Sequence, residues 1–201
     1  VLSNYADLTK FQYDGNLNIS RKPRLISSGS HFSGRAVHET AQAFQLIRNE
    51  IDAEIVFSGK FLTQELEDDV RNILQDAESQ QENWMVEGAV SFNHLINVAI
   101  PKGWAGLVLF DTSDPNNRNG LPVIATRGTQ VAELVKEWNG GVVIENNAPK
   151  SIANAFIFLA HNKAVRDKMS VNAYRAVREK YNWNTNFQDL KVFYKEIVEK
   201  Y

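Results

Sequence analysis

At 201 residues with 43% hydrophobic content, the chain carries enough apolar mass for one core of ordinary domain size. Its formal net charge of -2 provides no basic face for nucleic acid, and the lack of cysteine excludes disulfides and thiolate metal sites. No apolar run approaches the roughly 18–20 residues of a membrane span. No signal-peptide pattern is present, and the absence of cysteine fits a reducing compartment, so the expected setting is cytoplasmic. The opening Val1, with no initiator Met, reads as part of a longer polypeptide.

Short apolar runs alternate with helical patterns along most of the chain. Leu25-Ile26 reads as a strand leading into Ser27-Ser28-Gly29. Arg35–Ile51 follows with Val37, Ala41, Phe44 and Ile47 or Ile51 at helical spacing. Glu54–Phe57 is a strand ending at Ser58-Gly59, and Thr63–Ala77 an amphipathic helix with Thr63 as N-cap and Leu66, Val70, Ile73 and Leu74 on one face. Trp84–Val90 reads as a strand, Asn93–Val98 as a short helix and Gly106–Phe110 as a buried strand. A polar loop over Asp111–Gly120 precedes strand Val123–Ala125, helix Val131–Trp138 and strand Val142–Ile144. Helices Pro149–Leu159, Ala164–Lys180 and Thr185–Tyr201 close the chain, the last one capped by its threonine. Alternating strand and helix implies right-handed crossovers and a doubly wound parallel α/β sheet with a helical C-terminal extension. The expected division is a leading segment over 1–20, the α/β domain over 21–184 and the last helix over 185–201.

The candidate chemistry lies where strands end, because ligands of open α/β sheets bind beyond the carboxyl ends of the strands. Ser28-Gly29-Ser30-His31-Phe32-Ser33-Gly34-Arg35 places two glycines, hydroxyls and an arginine before a helix. Backbone N–H groups, the helix dipole and the forked Arg35 guanidinium would suit phosphate, whereas the alternative is a surface turn with an ordinary exposed arginine. The spacing is not G-x-G-x-x-G, which removes the main support for a nicotinamide cofactor. No P-loop and no G-x-S-x-G elbow occur. Of the scattered histidines, only His31 stands at a strand end; His38, His94 and His161 read as exposed helix polarity, and none has metal-type spacing. Asp111, Asp114 and Glu145 read as loop carboxylates, and Asn116–Gly120 as a turn-forming run that could instead form a polar lip over a ligand. Thr126-Arg127-Gly128-Thr129 ends a buried strand, with Glu133 at its far side. That carboxylate could meet a sugar hydroxyl or simply favour the helix N-terminus. Trp183 is expected to pack against the domain, while Trp104 and Trp138 suit either a core or a surface patch.

Six segments in order resemble the C-terminal domain of group 1 glycosyltransferases, a family of two-domain GT-B fold with a Rossmann-like donor half. VLSNYADLTKF is similar to the interdomain segment, SSGSHFSGRAVHETAQAF to the glycine loop and its helix, and AEIVFSGKF to the next strand. MVEGAVSFNHL is similar to the strand and loop beside the nucleotide base, LPVIATRGTQVAELV with GGVVI to the late donor-site elements, and Tyr181–Trp183 to the aromatic pair before the final helix. The resemblance implies a nucleotide-sugar donor, most often a UDP-sugar, used as substrate with no cofactor and no Asp-x-Asp metal site, and a mostly retaining reaction. By position, Gly29 and Ser30 would approach the diphosphate, Arg35 would neutralise it, Gly88 and Val90 would lie beside the base, and Thr126 and Glu133 would complete the donor site. The acceptor, a glycan or lipid-linked glycan of the cell envelope, would be held by an N-terminal domain outside these residues. Peripheral association with the inner face of the membrane would pass through that domain. This fragment alone would bind nucleotide weakly without turnover. A UDP-sugar 2-epimerase of the same architecture and a non-catalytic nucleotide- or partner-binding module are the alternatives.

One departure from the family stands out. Its helix bearing a donor-binding Glu, introduced as G-L-P-N-K-x-x-E, has no counterpart here: Asn119-Gly120-Leu121-Pro122 runs straight into Val123. The connection is about a dozen residues shorter than expected for a crossover between parallel strands, so further residues are expected between Gly120 and Leu121.

Overall fold

The computed structural model describes residues 22–75, 83–109 and 121–198. Six parallel strands form one sheet in the order β3-β2-β1-β4-β5-β6. They are β1 Arg24–Ser28, β2 Glu54–Ser58, β3 Trp84–Gly88, β4 Ala105–Val108, β5 Val123–Thr126 and β6 Gly141–Ile144. The doubly wound α/β reading of the sequence therefore holds. The expected leading segment, the run Asp111–Gly120 and residues 199–201 lie outside the described residues.

The helices are α1 Val37–Arg48, α2 Gln64–Gln75, α3 Phe92–His94, α4 Gln130–Trp138, α5 Pro149–His161, α6 Lys163–Glu179 and α7 Trp183–Val198. The short α3 continues as a π turn over Leu95–Ala99 and a 3-10 turn over Ile100–Lys102, where a plain helix over Asn93–Val98 was expected. Helix α7 begins two residues earlier than expected, because its cap is Asn182 rather than Thr185. The Asn182 side-chain oxygen accepts from the Thr185 N–H at 2.9 Å, the reach of an N-cap to the third helical residue.

Alternating side chains send the strands' apolar residues to both faces, as a parallel sheet requires. Leu25, Ile55, Phe57, Leu107 and Ile124 join Phe44 of α1, Leu74 of α2 and Phe156 of α5 in the main core. Val123 and Ala125 pack with Val131, Ala132 and Val135 of α4 in a smaller one. Trp104 packs against the main core beneath the guanidinium of Arg166, which lies 3.8 Å from the ring centroid. Trp138 meets Tyr181 edge-on at 6.4 Å. The side chain of Trp183 is outside the described residues.

The expected insertion before Leu121 falls beside residues 110–120, outside the described residues. Strands β4 and β5 pair directly, with Gly106 opposite Val123 and Val108 opposite Ala125. Residues 109–122 connect them, and at about 3.3 Å per residue that length far exceeds the return along a four-residue strand.

Candidate functional site

Strand order reverses direction between β1 and β4, and the crevice beyond their carboxyl ends is where open α/β sheets place ligands. The first three strands all end in a glycine with positive φ: Gly29 at 108°, Gly59 at 138° and Gly88 at 69°. The Gly29 N–H donates to the Ser58 carbonyl at 2.9 Å, and the Gly59 N–H to the Gly88 carbonyl at 2.7 Å. These bonds stitch the three bends edge to edge. A Cβ on Gly59 would sit 1.9 Å from the Gly29 carbonyl oxygen, so the approach itself demands glycine.

The loop after β1 carries the charge. A Cβ on Gly29 would fall 2.7 Å from Arg35 Nη1, which means the guanidinium uses the space above that bend. Arg35 also lies 5.5 Å from the Phe32 ring centroid, within cation–π range. A 3-10 turn over Ser33–Arg35 delivers it, and the chain then enters α1 through Ala36 in the left-handed region, with φ 49°. Thr40 holds that conformation by donating from both its backbone N–H (2.9 Å) and its hydroxyl (2.7 Å) to the Ala36 carbonyl. Helix α1 has no side-chain cap, leaving its N-terminal N–H groups and dipole open to an anion. The loop can thus set a guanidinium and a helix terminus against one phosphate group. The Gly29 N–H itself is spent on Ser58, so Gly29 serves a ligand by making room and not by donating. Ser30 is exposed on the same loop.

His31 is buried, at 1% exposure. Its ring packs against Phe57 and Phe61, with centroids 5.6 and 4.6 Å away. Burial first, then the neighbouring Arg35 charge, lowers its pKa to about 4, against a weaker opposing hydrogen bond to the Ser58 backbone. The other histidines follow the expectation of partly or fully exposed helix polarity. His38 Nε2 lies 3.2 Å from Asp69 Oδ2, His94 Nε2 lies 3.6 Å from Glu87 Oε1, and His161 is exposed.

The remaining candidate residues flank the loop on both sides. Gly88 ends β3, two strands from β1, with half-buried Val90 just beyond it, and the space beside Gly88 is open: nothing lies within 4 Å of a Cβ built there. Thr126 ends β5, and its hydroxyl is bonded to Asn147, whose Nδ2 donates to the Leu109 carbonyl at 3.1 Å. That side chain ties the ends of β4 and β5 to the segment after β6. Glu133 is in the first turn of α4, two-thirds exposed and paired with Lys136 at 2.9 Å, an arrangement that matches the helix-terminus reading. Glu145 pairs with Arg127 at 2.5 Å on the surface. Asp111, Asp114 and Asn116–Gly120 lie outside the described residues. Sequence reasoning missed Ala36, which turns the loop into α1 and whose residue type carries no signal for that conformation. A separate cleft of about 390 Å³ opens between Phe32, His38 and the Leu62–Asp69 stretch, and no strand-end glycine lines it. Among the described residues no cluster of His, Asp or Glu suits a metal.

One family model matches, that of glycosyl transferases group 1, over residues 117–176. The resemblance read from the sequence is borne out. No curated protein matches the chain by sequence. Among solved structures, a sucrose-phosphate synthase from Thermosynechococcus elongatus is similar over 98% of this chain and 52% of its own, at 14% identity and TM-score 0.80. The C-terminal domain of a glycosyl transferase group 1 family protein (LpcC) from Francisella tularensis is similar over 89% of this chain and 99% of its own, at 18% identity and TM-score 0.72. Anabaena Alr3699/HepE, solved with UDP and glucose, is similar over 96% and 55%, at 12% identity and TM-score 0.75. Identities this low establish the fold, that of a Rossmann-like half of GT-B proteins. The chain spans about half the length of several of these structures.

Proposed function

We propose that this chain is the donor-binding half of a group 1 glycosyltransferase. It takes a nucleotide-sugar, with a UDP-sugar as the first candidate, and sets the diphosphate against the Gly29–Arg35 loop. The observation that carries this reading is the Arg35 guanidinium over the Gly29 bend, beside the uncapped start of α1. A leaving nucleoside diphosphate gains negative charge as the glycosidic bond breaks, and a fixed guanidinium with helix N–H dipoles stabilises that charge. Gly88 borders open space suited to the base, and Val90 stands two residues on. Glu133 and Thr126 belong to the far side of the donor site in this reading. The UDP bound by the Anabaena neighbour supports the choice of nucleotide.

The reaction is retaining, and the acceptor, a glycan or lipid-linked glycan, is held by a second domain at the cytoplasmic face of the membrane. That second domain completes the cleft, so the chain by itself binds nucleotide weakly without turning donor over. No helix of the described residues is long and apolar enough to cross a membrane.

Calorimetry with UDP, ADP and GDP tests the reading. UDP should bind, and Arg35→Ala should weaken it by about tenfold or more, the worth of one charged hydrogen-bonding group. Failure of all three nucleotides to bind would leave the interaction-module alternative standing. Sugar transfer by the 201-residue chain alone, followed as release of free UDP in the presence of acceptor glycan, would contradict the division of labour.

A further inference from the structure

We infer that His31 positions Arg35: its buried Nε2, which has no hydrogen-bond partner among the described residues, is the acceptor that the guanidinium meets as it closes on a diphosphate at the Gly29 bend. This rests on the reading that the Gly29–Arg35 loop takes a diphosphate.

The backbone of His31 is clamped. Its N–H donates to the Lys60 carbonyl at 2.8 Å, its carbonyl accepts from the Leu62 N–H at 3.0 Å, and it forms a parallel bridge to Phe61. The ring therefore has little freedom to turn away. Its hydrogen bond to the Ser58 backbone carbonyl uses one ring nitrogen as donor, which leaves a neutral ring with a lone pair on Nε2. Phe57 and Phe61 cover the ring with carbon, and neither can donate to that lone pair. Solvent does not reach the atom, and a buried acceptor of this kind calls for a donor. The charge that bears most on the ring is Arg35, a group with five N–H donors in a fixed fork. The fork can set two donors on a phosphate and present its other edge to a buried acceptor. An imidazole that stays uncharged at physiological pH suits this place, because an imidazolium would repel the guanidinium and supply no acceptor. Ser58 completes the arrangement: one carbonyl receives both the Gly29 N–H and the His31 ring, fixing acceptor and bend to the same point of β2. An arginine held at its face by Phe32 and at its edge by His31 loses less freedom when an anion arrives.

The test uses the full chain and two independent readouts. In calorimetric titration with inorganic pyrophosphate, His31→Phe keeps the aromatic packing but removes the acceptor, and should weaken binding about fivefold or more. His31→Gln, which can still accept, should recover most of that loss. In the Arg35→Ala background, His31→Phe should cost nothing further, since its effect runs through the guanidinium. Undiminished binding by His31→Phe, or full additivity with Arg35→Ala, would overturn the inference. The second readout is spectroscopic: the Nε2 resonance of His31 in ¹⁵N spectra should move when pyrophosphate is added to wild type and stay put in Arg35→Ala, and a resonance that pyrophosphate leaves unmoved in wild type would equally overturn it. If wild type binds no pyrophosphate, the diphosphate reading itself fails, whereas undiminished binding by His31→Phe sinks the positioning role alone.

Discussion

His31 gives the molecule an acid-sensitive point. Its pKa is near 4 folded against 6.5 for a free histidine, so the unfolded chain binds a proton that the folded chain refuses. Stability from this group is complete above about pH 6.5 and is lost as pH falls toward 4. The difference corresponds to about 3 kcal/mol. Urea melts at pH 7 and pH 4.5 should show that loss in wild type and a much flatter dependence in His31→Phe. The glycines of the rim separate by what their added Cβ would meet. Gly59→Ala drives a methyl into backbone, and about 2–4 kcal/mol of stability should be lost, read as a lower denaturation midpoint. Gly29→Ala meets only the tip of Arg35, so after the backbone strain of its positive φ its larger effect should be on pyrophosphate affinity. Neither distinction was legible in the sequence. Ser-Gly at two strand ends announced a pair of turns, but which glycine faces a carbonyl and which faces a guanidinium depends on strands thirty residues apart.

At the scale of elements, side-chain caps secure some helix starts and leave others, α1, α5 and α6 among them, without one. Thr129 caps α4 by accepting from the Ala132 N–H at 3.1 Å, while α1 has no such side chain. Thr129→Ala should therefore cost about 1 kcal/mol in thermal or urea unfolding and leave anion binding unchanged. Asn182, at 2% exposure, locks the turn between α6 and α7. Its Nδ2 donates to the Val177 carbonyl at 3.1 Å and its oxygen caps α7. Asn182→Ala should cost about 2 kcal/mol or more, because buried partners lose their bonds together. Strands and long helices could be read from periodicity, since burial on both faces writes itself into runs such as Val123–Ala125. The cap of α7 could not, because Asn182 and Thr185 are both good capping residues and only their geometry decides between them. The irregular π turn after α3 is likewise invisible in a stretch whose apolar spacing fits an ordinary helix.

For the whole molecule, the order of the strands does most to locate the site. The alternation of strand and helix implied a doubly wound sheet, but the reversal between β1 and β4, which puts the Gly29–Arg35 loop at the crevice, is a property of pairing. The main core binds the two ends of the fold together, with Phe156 of α5 fully buried in the same cluster as Phe44 of α1. Phe156→Ala should remove about 3–5 kcal/mol, seen as loss of the cooperative unfolding transition at moderate urea.

The bonds from Gly29 to Ser58 and from Gly59 to Gly88 couple three neighbouring termini into a single plate. No one of them can lift without breaking a bond to the next, so fluctuations that open the entrance must be shared. A guest gripping the first corner would then quiet the third, about two strand spacings away, and slowed amide exchange at Gly59 would report an event at Arg35.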